Sequence, residues 1–154
     1  MSEVQTFPRV GVGGLVIRDS KVLLQLRAKP PEADHWDIAG GKVEWGETVE
    51  NALLRELREE IGSTCRIVRL LCVTNHIVPD DNAHWVAPAY LVEIEEGEPN
   101  NLEPESATDL AWFWLTALPE KLTKTAATAL AHYKENIGSS AFHGRGNVIE
   151  TESG

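Results

Sequence analysis

Residues 41 to 63 read GKVEWGETVENALLRELREEIGS, and this stretch is the most informative in the chain. Thr48 is a residue type that caps the N-termini of helices, and Gly62 supplies a C-terminal stop. Between them, apolar residues recur at helical spacing. The pattern therefore predicts a helix from Thr48 to Ile61, with one face packed on other secondary structure.

Three acidic residues of this helix fall on one face. With about 100° between successive residues, Glu56, Glu59 and Glu60 lie within a sector of about 100°. Like charges this close repel one another and destabilise the bare helix. A cation bound by oxygen atoms offsets that repulsion, and Mg²⁺ or Mn²⁺ suits carboxylates better than Zn²⁺ does. Taken alone, the same residues also fit a solvated helix face with ion pairs to Arg55.

The whole segment resembles the Nudix box, G-x5-E-x7-R-E-U-x-E-E-x-G-U, in which U is a bulky aliphatic residue. The positions in register are Gly41, Glu47, Arg55, Glu56, Leu57, Glu59, Glu60 and Gly62. Chance agreement at this many positions is on the order of 10⁻⁵ over the chain. Ser63 departs from the pattern, and Ala39 stands where many relatives have proline. The chain is thus similar to the MutT-like members of the Nudix hydrolase family.

The resemblance implies a metal-dependent enzyme and a role for each matching residue. The implied metal ligands are Gly41, through its backbone carbonyl, Glu56, Glu59 and Glu60. Glu59 is also an alternative general base, and Glu47 and Arg55 would shape the site. The implied cofactor, Mg²⁺ or Mn²⁺, neutralises a diphosphate and lowers the pKa of a bound water.

Strand-like and loop-like stretches make up the rest of the chain. The predicted strands are Arg9 to Arg18, Val22 to Leu26, Arg66 to Val78, Trp85 to Ile94 and Leu110 to Leu115. The first two suggest a hairpin, and Pro88 predicts that its strand is an edge strand or carries a bulge. A last helix is predicted from Pro119 to about Asn136. This order is similar to the Nudix fold, an α/β/α sandwich with a mixed β-sheet, in the α/β class.

A chain of 154 residues with 42% hydrophobic residues predicts a single domain. The resemblance covers residues 8 to 137, and we expect residues 138 to 154 to form a flexible C-terminal tail. The N-terminus lacks a secretory pattern, and no apolar run approaches the roughly 20 residues of a membrane helix. We therefore expect a cytoplasmic protein, with Cys65 and Cys72 as reduced thiols.

Acidic residues outnumber basic ones by 24 to 14, which gives a formal net charge of −10. Since polyanions bind clusters of Lys and Arg, neither a nucleic-acid polymer nor an anionic membrane is an expected partner. A small nucleotide-like substrate remains compatible, provided that a divalent metal reverses the charge locally. The resemblance also leaves a homodimer open, since dimers are common in the family.

Outside the box, the pattern determines candidate residues less strongly. The acidic loop from Glu95 to Thr108 offers Glu103 and Glu105, and we favour Glu105 as a catalytic carboxylate because it precedes the last strand. The candidate substrate contacts are Arg27, Trp36, His84 and Trp112. Alternatives are a surface ion pair for Arg27, core packing for the tryptophans and a solvated surface for the acidic loop. Trp45, inside the box, is expected to pack against the glycine loop.

The implied reaction is hydrolysis of a diphosphate bond in a nucleotide derivative. One version converts a nucleoside triphosphate into the monophosphate and pyrophosphate. Another splits an ADP-sugar or a dinucleotide, and Pro79 lies about where ADP-ribose hydrolases of the family carry a proline. The third alternative is a non-catalytic Nudix module that binds nucleotides, although such modules typically lose box glutamates that this chain retains.

Overall fold

The computed structural model describes residues 7 to 143, with the side chains of residues 7 to 135. The strands are β1 (Arg9–Arg18), β2 (Lys21–Arg27), β3 (Trp36–Asp37), β4 (Ala39–Lys42), β5 (Thr64–Val78), β6 (Ala83–Glu96) and β7 (Ala107–Trp114). The helices are α1 (Val49–Ile61) and α2 (Lys124–His143), and a short 3-10 turn, Pro79–Asp81, joins β5 to β6. All elements predicted from the sequence are therefore present, and β3 and β4 are additional short strands.

The seven strands form one mixed sheet that is organised around β1. β1 runs parallel to β6 and antiparallel to both β2 and β4. β5 pairs with the far side of β6, and β3 and β7 pair with β2. The predicted β1–β2 hairpin is confirmed.

The two helices cover opposite faces of this sheet. Buried residues of α1 pack with Val12 and Val16 of β1, whereas buried residues of α2 pack with Leu15 of the same strand. Because successive residues of a strand point to opposite faces, α1 and α2 lie on different sides. The predicted α/β/α sandwich is confirmed.

Both ends of α1 are fixed by the residues that the sequence indicated. The Thr48 hydroxyl oxygen accepts a hydrogen bond from the Asn51 N–H at 3.1 Å, and Gly62 adopts a left-handed conformation with φ 76°. The buried residues of the helix are Ala52, Leu53, Leu57 and Ile61. Burial of each of the three larger side chains stabilises the fold by about 2 kcal/mol. The predicted box helix is therefore confirmed.

Ser63, the departure from the box pattern, is fully buried. Its hydroxyl donates a hydrogen bond to the Gly97 carbonyl oxygen at 2.8 Å. A buried hydroxyl with a partner avoids the cost of an unsatisfied polar group. A hydrogen bond to the loop before β7 thus takes the place of the packing that an aliphatic residue would provide.

The predicted start of the last helix at Pro119 is wrong, because α2 begins after Thr123. The Trp36 N–H donates to the Lys121 carbonyl oxygen at 2.7 Å, and the Thr123 N–H donates to the Trp36 carbonyl oxygen at 2.9 Å. These bonds hold the segment before the helix against β3. The Thr123 hydroxyl then accepts a hydrogen bond from the Ala126 N–H at 3.1 Å and caps the first turn.

The predicted end of this helix at Asn136 is also wrong, since α2 continues to His143. Residues 138 to 143, expected to begin the tail, are helical, and residues 144 to 154 lie outside the described residues. Although α2 has 20 residues, no helix in the described part of the chain is both long enough and apolar enough to cross a membrane.

Pro88 does not mark an edge strand, because β6 lies between β1 and β5. The irregularity that a proline requires is found beside it. Val73 of β5 pairs with Pro88, and the register of β5 shifts between Leu70 and Cys72, which leaves Leu71 as an extra residue. A bulge is therefore present at this position, as the alternative prediction stated, but it lies in β5 and not in the strand that contains Pro88.

Candidate active site

A cleft of about 460 Å³ opens above the sheet, within the size range of small-molecule sites. Its floor includes Gly11, Val12 and Gly13 of β1 with Trp85 and Ala87 of β6. One side, here called the box wall, consists of Gly40, Gly41, Lys42 and Glu60. Another side, here called the loop wall, consists of Arg27, Lys29, Pro30, Pro31 and Glu32. The Nudix-like segment therefore borders the main cleft described.

Arg55 organises the acidic residues of the box. Its Nε and Nη2 donate to the two carboxylate oxygens of Glu47 at 2.7 and 2.9 Å. Nη1 donates to Glu56 at 3.1 Å and to Glu59 at 3.3 Å, and Nη2 also donates to the Lys42 carbonyl oxygen at 3.1 Å. These contacts match the five N–H groups of a guanidinium. Arg55 therefore joins the loop residue Glu47 to two glutamates of α1.

Glu47 fastens the loop between β4 and α1. Its bidentate bond with Arg55, helped by the Glu44 N–H, lowers the pKa of Glu47 from 4.5 to about 2. The Glu44 N–H donates to Glu47 Oε1 at 2.9 Å. Glu47 is thus ionised at neutral pH, and it holds Arg55 in place beside the other glutamates.

Glu60 and Glu56 carry carboxylates in an environment that disfavours negative charge. Burial raises the pKa of Glu60 to about 8; the Gly40 N–H, which donates to its Oε1 at 3.0 Å, acts in the opposite direction. Burial also raises the pKa of Glu56, while the ion pair with Arg55 lowers it. The negative charge of Glu56 further raises the pKa of Glu60, and the negative charge of Glu59 further raises the pKa of Glu56.

The paired glycines of β4 allow these carboxylates to approach the backbone. A Cβ on Gly41 would lie 2.3 Å from the carboxylate carbon of Glu56, and a Cβ on Gly40 would lie 2.0 Å from the Val12 carbonyl oxygen. Neither contact is sterically allowed. Glycine at both positions therefore lets β4 fit between β1 and Glu56.

The chemistry of the box wall fits a hard divalent cation. Carboxylates of Glu56 and Glu60 are oxygen ligands of the kind that Mg²⁺ prefers, and the Glu56 carboxylate lies beside Gly41 of β4. A cation would also relieve the repulsion that raises the pKa of both acids. Among residues 7 to 135, no three Asp, Glu, His or Cys side chains already converge on a metal position. Arg55 instead engages Glu56 and Glu59.

The loop before β7 brings Glu103, and not the favoured Glu105, towards the box. The Leu102 N–H donates to the Glu60 carbonyl oxygen at 2.9 Å and attaches the loop to the end of α1. The negative charge of Glu103 contributes to the raised pKa of both Glu56 and Glu60. Glu105 is exposed, whereas Glu103 is half-buried.

A turn accounts for the different positions of Glu103 and Glu105. The Ser106 and Ala107 N–H groups both donate to the Glu103 carbonyl oxygen, at 2.9 and 3.1 Å. The chain therefore reverses between Glu103 and β7, and Glu105 lies on the outside of the turn. Sequence distance from β7, on which the preference rested, does not reveal this reversal.

Arg27 lines the cleft as expected, but the protein itself occupies its donors. Nε donates to the Pro31 carbonyl oxygen at 2.7 Å, and Nη2 donates to the Lys29 carbonyl oxygen at 3.3 Å. Nη1 lies 3.5 Å from Asp37 Oδ2. Arg27 thus shapes the loop wall from within, and its contact with a phosphate stays a prediction.

Glu32 ties the loop wall to two other elements. Its Oε1 lies 3.2 Å from His76 Nε2 of β5, and its Oε2 accepts a hydrogen bond from the Lys124 N–H at 3.0 Å. Nearby, burial raises the pKa of Asp37, against the hydrogen bond from the Thr123 hydroxyl at 2.7 Å. The loop wall is therefore a connected polar structure.

None of the other three candidate substrate contacts lines the cleft. Trp36 packs in the core beneath α2, with its ring centroid 4.7 Å from that of Phe113. Trp112 packs against the core beneath α1 and lies under the Arg18 guanidinium, 4.5 Å from its ring centroid. His84 lines a separate pocket beside the β5–β6 turn. The alternative of core packing holds for both tryptophans.

Two residues outside the candidates chosen from the sequence also line the cleft, namely Trp85 and His76. They are paired across β6 and β5, and only the strand register brings them to the same site. Trp45 does not pack against the glycine loop, because 99% of its surface is exposed. The hydrophobic character of a tryptophan does not by itself predict whether it lies in the core, in the cleft or on the exposed surface.

Comparison with known proteins supports this geometry. The family model described as NUDIX domain matches residues 7–133. The chain is 33% identical over 113 residues to an ADP-ribose pyrophosphatase of Methanocaldococcus jannaschii, which covers 73% of this chain and 66% of that protein. It is 35% identical over 92 residues to an 8-oxo-dGTP diphosphatase of Escherichia coli, which covers 59% of this chain and 70% of that protein.

A solved structure agrees with these sequence matches. The crystal structure of a MutT NUDIX hydrolase from Burkholderia pseudomallei superposes with a TM-score of 0.79 at 44% sequence identity. The match covers 82% of this chain and 98% of that one. Together with the box wall described above, these matches lead to one conclusion: the chain belongs to the Nudix family of hydrolases.

Proposed function

We propose that the chain hydrolyses a nucleoside triphosphate, with water, to the nucleoside monophosphate and pyrophosphate. The observation that carries this proposal is the position of the box carboxylates. Glu60 lines the cleft, and Arg55 holds Glu56 and Glu59 beside it. A phosphate chain in this cleft would lie against residues that suit a metal ion.

The proposed cofactor is Mg²⁺ or Mn²⁺. Glu56, Glu60 and the Gly41 carbonyl would hold it, with Glu59 as a further ligand. When bound, such an ion neutralises the diphosphate and lowers the pKa of an attacking water. Glu47 and Arg55 would act by positioning these ligands, because every Arg55 donor is bonded within the box.

Glu103 is the proposed general base. The attacking water must lose a proton, and the box carboxylates are committed to the metal or to Arg55. Glu103 approaches the box from another loop, so its carboxylate is available to take that proton. Two lysines of the cleft, Lys29 and Lys42, add positive charge for the substrate phosphates.

The second candidate function is hydrolysis of an ADP-sugar such as ADP-ribose. It is favoured by the 33% identity with the archaeal ADP-ribose pyrophosphatase. The 35% identity over 92 residues with the 8-oxo-dGTP diphosphatase of Escherichia coli favours the first candidate. A non-catalytic nucleotide-binding module is disfavoured, because all box glutamates are retained.

A substrate screen tests the proposal. The purified protein is incubated with Mg²⁺ or Mn²⁺ and with nucleoside triphosphates, ADP-ribose or diadenosine polyphosphates. We expect the highest kcat/KM for a nucleoside triphosphate. A higher kcat/KM for ADP-ribose would establish the second candidate, and binding without turnover of any compound would establish the non-catalytic module.

A further inference from the structure

Trp85 differs from every other tryptophan of the chain in its environment. Of the five tryptophans, all of which lie within residues 7 to 135, only Trp85 lines the cleft. It is half-buried, so part of its surface is open to a ligand and the rest is held by the protein. Trp85 thus provides a flat apolar surface in a cleft that also contains several charged side chains, and such a surface can bind a planar apolar group.

Neighbouring residues hold the Trp85 ring in a defined place. A Cβ on Gly11 would lie 3.4 Å from Trp85 Cε3 and 3.3 Å from the Gly41 carbonyl oxygen. The ring edge and this carbonyl therefore flank the same position of β1. The guanidinium of Arg9, which does not line the cleft, lies 5.8 Å from the ring centroid. A cation thus lies over the ring, and part of the ring surface lines the cleft.

The floor around Trp85 is made of small residues. Gly11, Gly13 and Ala87 contribute little side-chain volume to the cleft. Across β5, the residue that pairs with Trp85 is His76, which Glu32 holds at 3.2 Å. Trp85 therefore presents the largest apolar surface of the floor, with open space above it.

We propose that Trp85 is the platform on which the planar base of the substrate nucleotide stacks. This inference rests on the proposed function, which it deepens. Because the ring edge and the Gly41 carbonyl oxygen flank Gly11 together, a base stacked on the ring would lie beside the box wall, with its phosphates extending towards Glu60. Stacking on a π-face tolerates different bases, and hydrogen bonds from other cleft residues would discriminate among them.

The test compares two substrates that share the triphosphate but differ in the base. KM and kcat are measured for GTP and for ribose 5-triphosphate, which has no base, with wild-type protein, W85L and W85F. For W85L we expect the KM of GTP to rise roughly 5- to 150-fold, the range for loss of one stacked base. The KM of ribose 5-triphosphate should stay unchanged. W85F, which keeps an aromatic face, should restore most of the GTP affinity.

A matched control is W114L, since Trp114 is 54% exposed and does not line the cleft. It should leave both KM values unchanged. If W85L raises both KM values equally, or raises neither, Trp85 is not a base platform, even though wild-type turnover supports the proposed function. If the wild-type protein hydrolyses no nucleotide at all, the proposed function fails and this proposal fails with it. Thermal unfolding of W85F verifies that the fold is intact.

Discussion

Two walls of the cleft are each organised by one arginine, and the partners of the two arginines differ in kind. Arg55 donates mainly to carboxylates, those of Glu47, Glu56 and Glu59. Arg27 donates mainly to backbone carbonyls of the loop that joins β2 to β3. The first arrangement sets the positions of the proposed metal ligands, whereas the second sets the shape of a surface.

Because of this difference, we expect substitutions in the two walls to affect different kinetic constants. A change in the box wall alters groups that act on the reacting bond, so it should appear in kcat. A change in the loop wall alters the space that receives the substrate, so it should appear in KM. Substitutions in each wall can therefore test whether the two walls have these different roles.

The largest effect is expected for Glu56→Gln. A metal ligand and its charge are lost with little change in shape, and metal stabilisation of a transition state amounts to several kcal/mol, or roughly 10³- to 10⁴-fold in kcat. Stability should hardly change, because a partly buried charge is removed. Steady-state kinetics and thermal unfolding measure both, with Glu96→Gln on the exposed surface as control. Wild-type kcat in E56Q would exclude Glu56 as a ligand.

The next effect distinguishes the two acids of the loop before β7. Glu103→Gln should lower kcat about 10²-fold, as expected for loss of a positioned base. Glu105→Gln serves as the matched control and should have little effect, because its side chain is exposed. Equal effects of the two substitutions would leave the general base to be found on α1, with Glu59 first.

How much the sequence predicts depends on whether the partners are local. The cluster around Arg55 was predictable, since Glu47, Arg55, Glu56 and Glu59 lie within one short segment and the helical period aligns the last three. The start of α2 was not predictable from the sequence, because it depends on backbone hydrogen bonds to Trp36, about 85 residues earlier.

The cleft floor and loop wall depended on long-range pairing in the same way. The parallel register of β1 and β6 brings Trp85 beside the box wall, and no local pattern encodes that register. Arg27 was predictable as a cleft residue, but its bonds to the following loop required the folded conformation of that loop. The same reason accounts for the choice between Glu103 and Glu105.

Arg→Lys substitutions at Arg55 and Arg27 test directly whether the two arginines have different roles. Lysine keeps the charge but lacks the forked set of donors. Arg55→Lys should lower kcat about 10- to 100-fold, the range for residues that orient metal ligands. Arg27→Lys should raise KM about fivefold, equivalent to one lost hydrogen bond, with kcat nearly unchanged. A kcat defect in R27K that equals the one in R55K would remove the distinction between the walls.

The smallest effect concerns stability at low pH. The pKa of Glu47 is lowered from 4.5 to about 2, so its bond with Arg55 contributes stability above pH 4.5 that is lost as the pH falls towards 2. Glu47→Gln removes this contribution. The difference in melting temperature between wild type and E47Q should therefore be constant from pH 7 to about 5 and shrink below that. A difference that grows in acid would contradict the assignment.

The proposed reaction is hydrolysis of a nucleoside triphosphate by this Nudix chain, with a divalent metal ion bound at the box wall. The most direct measurement is the product balance of wild-type protein with its best nucleoside triphosphate, with Mg²⁺ and after chelation by EDTA. We expect nucleoside monophosphate and pyrophosphate in equal amounts, and no turnover after chelation. Release of orthophosphate in place of pyrophosphate, or turnover that survives chelation, would contradict the account.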